Sequence, residues 1–147
     1  MNILPPDPGA LLPSLAAAWP GVRLGADIAS IPAIAESVSR FGQRFLQRLF
    51  TVGELEYCDT AAGVDAARLA ARFAAKEAVI KALDLSEAGV CWRDIEVLRG
   101  PGGGCAIRLN GKLALGLHIR GLPEFPLSLS HDGDYAIALV AFPPSFS

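Results

Sequence analysis

Cysteine and histidine are scarce in this chain of 147 residues. Only two histidines are present, and the three cysteines (Cys58, Cys91 and Cys105) are far apart and form no CxxC pair. Zinc sites and disulfide frameworks need clustered or paired ligands of these types, so we expect neither here. The cysteines are expected to be buried free thiols in a reducing compartment.

Excess charge of one sign and long apolar runs are also lacking. The net charge of −2 gives no global field for nucleic acid, so any basic partner site must be local. No apolar run reaches the roughly 20 residues that span a bilayer. The apolar segment Leu11–Trp19 follows Asp7 and has no Lys or Arg before it, which disfavours a signal peptide. We expect a cytoplasmic protein with no nucleic-acid or membrane partner.

Apolar residues, in contrast, are abundant. They make up 52% of the chain against 19% charged residues, which is enough for a folded core. The length suits one domain, predicted over 21–147 after a Pro-rich extension at 1–20. The apolar share is slightly high for a small monomer and is typical of a chain with an additional buried surface, as in an oligomer.

The order of the predicted elements indicates an α+β fold. An N-terminal strand is followed by three to four helices, including one long buried helix, and then by antiparallel strands. The expected segments are a strand at Val22–Ile28, a helix from Ser30 to about Arg40, a short helix with Phe45–Leu49, a helix opening with the capping box Thr51–Glu54, the long helix Asp65–Leu83, strands Asp94–Leu98 and Cys105–Leu109, a short helix at Lys112–Leu117, and strands Pro126–Ser130 and Tyr135–Phe142 around a hairpin turn at His131–Asp134.

The long helix Asp65–Leu83 carries charge where little is expected. It is apolar nearly all round, which is typical of a helix buried on several sides. It nevertheless carries Arg68, Arg72, Lys76, Glu77 and Lys81. One interpretation is an ordinary Glu77–Lys81 pair, worth about 0.2–0.5 kcal/mol. The other is that the cations contact phosphates and the carboxylate contacts a metal, because buried charges need partners.

Three further features are each ambiguous when taken alone. Asp27 ends a strand and could be a helix cap or turn former. His131 could be a hairpin residue or part of a binding site. The arginines Arg40, Arg44 and Arg48 recur every four residues, as on a solvated helix face or on a docking surface for an acidic partner.

Three segments together resemble the 4′-phosphopantetheinyl transferase superfamily, whose signature pairs a GxD strand with a KEAxxKA helix. They are Gly25–Ile28 (GADI), Arg72–Ala82 (RFAAKEAVIKA) and Ser128–Asp132 (SLSHD). The short length, with Arg48–Thr51 and Asp94–Val97, resembles the holo-[acyl-carrier-protein] synthase branch.

The resemblance implies an enzyme that moves 4′-phosphopantetheine from coenzyme A to a serine of an apo acyl carrier protein and releases 3′,5′-ADP. Asp27 and Glu77 would bind Mg²⁺, a cation that takes one or two carboxylates plus phosphates and waters. Lys81 would offset charge on the transferring phosphate. The serine proton would pass to a metal-bound water or to Glu77. The coenzyme would be bound by Arg72, Lys76, Lys81, Ser128, Ser130 and His131.

The resemblance also implies partners. Arg40, Arg44 and Arg48 would dock an acidic acyl carrier protein of fatty acid or polyketide biosynthesis, and the branch implies a homotrimer with active sites at subunit interfaces. The chain departs from the family pattern at Ala33, Asp84 and Gly104-Cys105. The departures at Asp84 and Gly104 motivate an alternative, a non-catalytic module that binds coenzyme A or a carrier. A third hypothesis is a structural α+β subunit whose buried helix serves only assembly.

Overall fold

A five-stranded antiparallel sheet and the long helix that crosses it organise residues 21–144, the part of the chain that the computed structural model describes. The predicted extension 1–20 lies outside these residues. The strands are β1 (Arg23–Ser30), β2 (Asp59–Thr60), β3 (Gly63–Val64), β4 (Ile95–Arg99), β5 (Cys105–Leu109), β6 (Phe125–Asp132) and β7 (Tyr135–Phe142). The helices are α1 (Ile31–Phe41), α2 (Gln43–Leu49), α3 (Val52–Cys58), α4 (Ala66–Ala82) and α5 (Gly111–Gly116).

The order of strands in the main sheet is β1-β7-β6-β5-β4, so the first strand of the chain pairs with the last. β2 and β3 form a separate two-stranded ribbon. Helix α4 packs across β1 and β7, and the buried core lies between this helix and the sheet. Because side chains alternate along a strand, every second residue of β1 and β7 faces α4 and the others face away from it.

Local signals explain where α4 begins and ends. Asp65 caps the helix by accepting hydrogen bonds from the backbone amides of Ala67 and Arg68. At the other end, the Leu85 amide donates to the Ile80 carbonyl across Asp84, whose φ is +53°. This left-handed residue closes the helix as a glycine usually does.

The predicted α+β class is confirmed, and several element boundaries are corrected. Strand β1 continues to Ser30 because its pairing with β7 extends to the Ser30–Tyr135 pair. Strand β6 includes His131 and Asp132, so the hairpin turn is shorter than the predicted segment. Among the described residues, four α-helices lie between β1 and β4, within the predicted three to four, and the predicted short helix at Lys112–Leu117 is found at Gly111–Gly116. None of the helices described for residues 21–144 has the length and apolar character that a membrane crossing requires.

Candidate active site

A close approach between β1 and α4 brings the predicted carboxylates together. Gly25 is buried on the face of β1 that α4 covers. A Cβ atom there would overlap the Ala78 carbonyl oxygen and would lie 2.9 Å from the Ala82 Cβ. The strand therefore needs glycine at this position. Asp27 follows two residues later on the same face and points towards the helix turn that carries Glu77 and Lys81.

Asp27, Glu77 and Lys81 form one cluster of charges. The Lys81 ammonium donates a hydrogen bond to Asp27 Oδ1 at 2.6 Å. The Asp27 side chain is only 11% exposed, whereas that of Lys81 is 57% exposed. Within residues 21–144 the ion pair of Lys81 is with Asp27, and no Glu77–Lys81 ion pair is found. The interpretation of Glu77 and Lys81 as a simple helix pair is therefore wrong.

The carboxyl groups of Asp27 and Glu77 lie close enough to affect each other's protonation. Burial, a hydrogen bond with Asp27 and the charges of Asp27 and Glu87 raise the pKa of Glu77 to about 7, while Lys81 opposes the shift. Two carboxyl groups can hydrogen-bond to each other only if one keeps its proton. The hydrogen bond to Asp27 raises the pKa of Lys81, which stays charged at neutral pH. A cation held between the two carboxylates would therefore stabilise the cluster.

Lys76 lies in a different place from the one predicted. Its side chain is 0% exposed, and its ammonium donates to Glu54 Oε1 at 2.8 Å, to the Trp92 carbonyl at 3.1 Å and to the Ile95 carbonyl. Desolvation lowers the pKa of Lys76, and the Glu54 carboxylate opposes that shift. All three ammonium protons are engaged in the core. This location contradicts the predicted coenzyme contact of Lys76, because no part of the side chain is accessible.

Arg72 belongs to a cluster of guanidinium groups around one ring. The Tyr57 ring has the guanidinium carbons of Arg72, Arg68 and Arg99 at 4.3, 4.5 and 4.9 Å from its centroid. Arg72 is 3% exposed, and its buried Nε has no hydrogen-bond partner in the described residues. Tyr57, Arg72 and Arg99 line a cavity of about 260 Å³ together with Glu96. Two of these guanidinium groups, Arg72 and Arg99, can therefore contact an anion in the cavity, whose lining also includes the carboxylates of Glu54 and Glu96.

The predicted serines lie on the opposite face of the sheet from Asp27. Ser128 pairs with Leu139 and Ser130 with Ile137, so all four share the face that α4 does not cover. Asp27 pairs with Ala138 on the helix-covered face. The structure therefore does not bring these serines to the carboxylates of the same chain.

His131 faces the same side of the sheet as Asp27 but lies farther away. It pairs with Ala136, which pairs in turn with Ala29 of β1. Two strand spacings alone separate the two residues by about 10 Å. His131 is exposed, and its side chain can reach a bound molecule larger than a metal ion.

Two of the three predicted docking arginines line one groove. It has a volume of about 580 Å³ and is lined by Phe41, Arg44, Phe45, Arg48, Leu49 and Trp92. The third, Arg40, lies at its edge with its guanidinium carbon 5.5 Å from the centroid of the Phe41 ring. The groove thus combines aromatic walls with positive charge.

Glu54, Tyr57 and Glu87 were missed as members of these clusters. Glu54 had a signal, since its position in the Thr51–Glu54 capping box was predicted and is confirmed. The signal gave no hint that the same carboxylate reaches Lys76, 22 residues farther along the chain. Tyr57 and Glu87 had none, because their contacts depend on how α3 and the turn after α4 pack.

Known proteins match the chain closely. The family model described as 4′-phosphopantetheinyl transferase superfamily matches residues 23–140. A holo-[acyl-carrier-protein] synthase of Gloeobacter violaceus is 44% identical over 119 residues, which are 81% of this chain and 90% of the relative. One of Desulforudis audaxviator is 44% identical over 125 residues, with 84% and 95% covered.

Solved structures agree with these relatives. An ACPS–CoA complex of Chronobacterium ammoniagenes superposes with a TM-score of 0.71 at 36% identity and covers 83% of this chain and 96% of its own. A Helicobacter pylori holo-[acyl-carrier-protein] synthase in complex with coenzyme A gives a TM-score of 0.68 at 31% identity, with 80% and 96% covered. Together with the Asp27–Glu77–Lys81 cluster, these matches establish that the chain belongs to the 4′-phosphopantetheinyl transferase superfamily, in its holo-[acyl-carrier-protein] synthase branch.

Proposed function

We propose that this protein transfers the 4′-phosphopantetheine group of coenzyme A to a serine hydroxyl of an apo acyl carrier protein and releases 3′,5′-ADP. The observation that carries the proposal is the contact of Asp27 with both Glu77 and Lys81 at the meeting point of β1 and α4. Membership of the family gives this cluster its chemical context.

The donor set of the cluster fits Mg²⁺. Asp27 and Glu77 offer oxygen ligands only, and burial together with the neighbouring Asp27 carboxyl raises the pKa of Glu77. Within residues 21–144, no group of three or more His, Cys, Asp or Glu could form a closed metal cage. Two carboxylates suit a cation that completes its shell with phosphates and water. A bound Mg²⁺ would supply neutralisation of the pyrophosphate charge.

The residues of the chain then have separate tasks in the transfer. Lys81 is half exposed and charged, so it can contact the phosphoryl group that moves. The serine oxygen forms the new P–O bond as the bond to the leaving 3′,5′-ADP breaks. Glu77 can accept the serine proton through a carboxylate oxygen, because it lies beside Asp27 and Lys81, where the transferred phosphoryl group would be held.

The arginine cluster at Tyr57 supports a binding position for another part of the coenzyme. Coenzyme A carries a 3′-phosphate in addition to its pyrophosphate. Among residues 21–144 the buried Arg72 Nε has no hydrogen-bond partner; Arg72 lines the 260 Å³ cavity, and so does Arg99. We assign the 3′-phosphate side of the nucleotide to this cavity, since planar guanidinium groups bind phosphate well.

The groove of Arg44 and Arg48 supports docking of the acidic carrier. Its aromatic walls can take an apolar side chain of the carrier while its arginines contact carboxylates. Ala33 lies exposed on α1 and offers no charge, so docking would rely on Arg40, Arg44 and Arg48.

The uncovered face of the main sheet supports self-association, which we propose gives a homotrimer. Leu24, Ile28, Tyr135, Ile137 and Leu139 lie exposed there. A contiguous apolar patch of this kind is typical of a protein interface. Ser128 and Ser130 share this face. A second copy placed against it would bring these serines to a neighbour's site, as expected for active sites at subunit interfaces. The cytoplasmic location stays a prediction.

Mass spectrometry tests the proposed activity directly. Apo acyl carrier protein incubated with coenzyme A, Mg²⁺ and this protein should gain one phosphopantetheine arm. Asp27→Ala and Glu77→Ala should each abolish the gain while circular dichroism shows a folded chain. Coenzyme A binding by a folded wild-type protein without any mass gain on a range of carriers would instead identify a non-catalytic binding module.

A further inference from the structure

The buried pair of Lys76 and Glu54 has no place in the reaction described above. Both side chains are 0% exposed. The Glu54 carboxylate accepts from the Thr51 amide at 2.9 Å and from the Val97 amide at 2.9 Å in addition to Lys76. One carboxylate and one ammonium thus join the start of α3, the middle of α4, the segment before β4 and β4 itself.

Stability is a poor explanation for this pair. The cost of removing two charges from water often equals or exceeds their attraction, and apolar residues of similar volume do as well or better. A buried ion pair does give directional contacts that fix one arrangement of the elements. Helix α4 has a particular need for such contacts, because much of its buried surface is alanine: Ala70, Ala71, Ala74, Ala75, Ala78 and Ala82. Alanine side chains make no directional contacts, so the hydrogen bonds of Lys76 supply orientation that these positions do not.

The position of Glu77 depends on that arrangement. Glu77 follows Lys76 directly, so a rotation of α4 about its axis moves both side chains together. On its other side α4 touches β1 at Gly25, where the Ala78 carbonyl leaves no room for a side chain. The Lys76 ammonium and the Gly25 contact therefore hold the helix from two sides around the residue that must meet Asp27.

We propose that Lys76 and Glu54 are positioning residues that set the rotation of α4, so that the Glu77 carboxylate faces Asp27. The proposal rests on the function proposed above, because it concerns the geometry of the same metal-binding carboxylates. It assigns no contact between Lys76 and the coenzyme.

The test compares Lys76→Met and the double variant Glu54→Gln/Lys76→Met with wild type. The double variant leaves no unpaired charge in the core and keeps the side-chain volumes, so it should fold even where Lys76→Met does not. A matched control is Ile107→Ala, which truncates a fully buried residue of β5 away from the carboxylates. The readout besides activity is Mn²⁺ binding in the presence of coenzyme A, measured by electron paramagnetic resonance, since Mn²⁺ takes the same oxygen ligands as Mg²⁺.

We expect the apparent Kd for Mn²⁺ to rise by about 10- to 100-fold in the double variant, as for other residues that orient metal ligands. The kcat of transfer should fall in parallel with the loss of Mn²⁺ affinity. Ile107→Ala should have a lower melting temperature than wild type but the same Mn²⁺ affinity and kcat.

Wild-type Mn²⁺ affinity and kcat in the folded double variant would overturn the positioning role and leave the pair a purely structural one. An equal loss of Mn²⁺ affinity in Ile107→Ala would also overturn it, because general destabilisation would then account for the effect. If wild type itself binds no Mn²⁺ and transfers nothing, the proposed function fails and the positioning role falls with it. That result is distinct from the first two, since both require an active wild type.

Discussion

Replacing Gly25 with alanine adds one methyl group between β1 and α4, and it should move Asp27 away from Glu77 and Lys81. The new Cβ would lie 2.9 Å from the Ala82 Cβ, about half an ångström closer than the 3.4 Å at which ordinary contact begins, and it would overlap the Ala78 carbonyl oxygen. The obstacle is helix backbone, so no side-chain rotation can relieve it. Either α4 moves away from β1 or the strand bends.

Both adjustments have a cost in stability and a larger one in activity. Overpacking of a core by one methyl group costs about 1–3 kcal/mol. A shift of about 1 Å between Asp27 and the helix carrying Glu77 and Lys81 should lower kcat by about 100-fold. The assay is single-turnover transfer to apo carrier, with Mn²⁺ affinity as a second measurement.

A second glycine provides the matched control. Gly116 lies in helix α5, and nothing lies within 4 Å of a Cβ built there. Gly116→Ala should leave kcat unchanged and should not destabilise the protein, because alanine favours a helix over glycine. Wild-type kcat in a folded Gly25→Ala protein would refute the view that the close approach at Gly25 sets the site.

Three further perturbations should act on separate parts of the structure. Without Mg²⁺, the melting temperature of wild type relative to Glu77→Gln should fall as pH rises from about 4.5 to about 7, because the folded chain holds a Glu77 proton that the unfolded chain releases. Mg²⁺ should abolish this trend. A melting-temperature difference between the two proteins that does not change with pH in the absence of Mg²⁺ would contradict the raised pKa. Asp84→Gly should raise stability by about 0.5–1 kcal/mol, since glycine adopts φ +53° freely and the lost ion pair with Arg23 is exposed; a lower midpoint in urea would show that the ion pair matters more than the backbone. Ile137→Lys on the uncovered sheet face should yield monomers by light scattering and reduce transfer, and an unchanged mass in solution would place the self-association surface elsewhere.

The sequence predicted the elements of the site better than the contacts between them. Helix α4 was recognisable from its composition, and its buried cations were visible on a helical wheel. The Ser30 cap of α1 and the capping box at Thr51 are local signals, and the structure contains both. Such features depend on a few neighbouring residues, so they can be deduced before any fold is known.

The partners of the buried charges could not be deduced in the same way. A wheel places Lys76 in the core but cannot tell whether it meets a phosphate or Glu54, because that depends on how α3 packs against α4. The two serines were assigned to the coenzyme pocket without the strand register, which puts them on the face opposite to Asp27. A shift of one residue in register would have reversed that result.

Asp84 shows that a departure from the family pattern can be accommodated by the backbone. The structure keeps the left-handed turn that glycine would favour and pairs the Asp84 carboxylate with Arg23 at 3.4 Å. The turn that follows the signature helix is therefore preserved despite the changed residue.

We propose that Asp27 and Glu77 together support phosphopantetheine transfer. The most direct measurement is the mass of an apo acyl carrier protein after incubation with coenzyme A and Mg²⁺, in the presence of wild type, Asp27→Ala or Glu77→Ala. We expect wild type to add one phosphopantetheine arm, chelation of Mg²⁺ to prevent the addition, and neither folded variant to add it. Addition by a folded Asp27→Ala or Glu77→Ala protein at the wild-type rate would show that these carboxylates are not required for transfer.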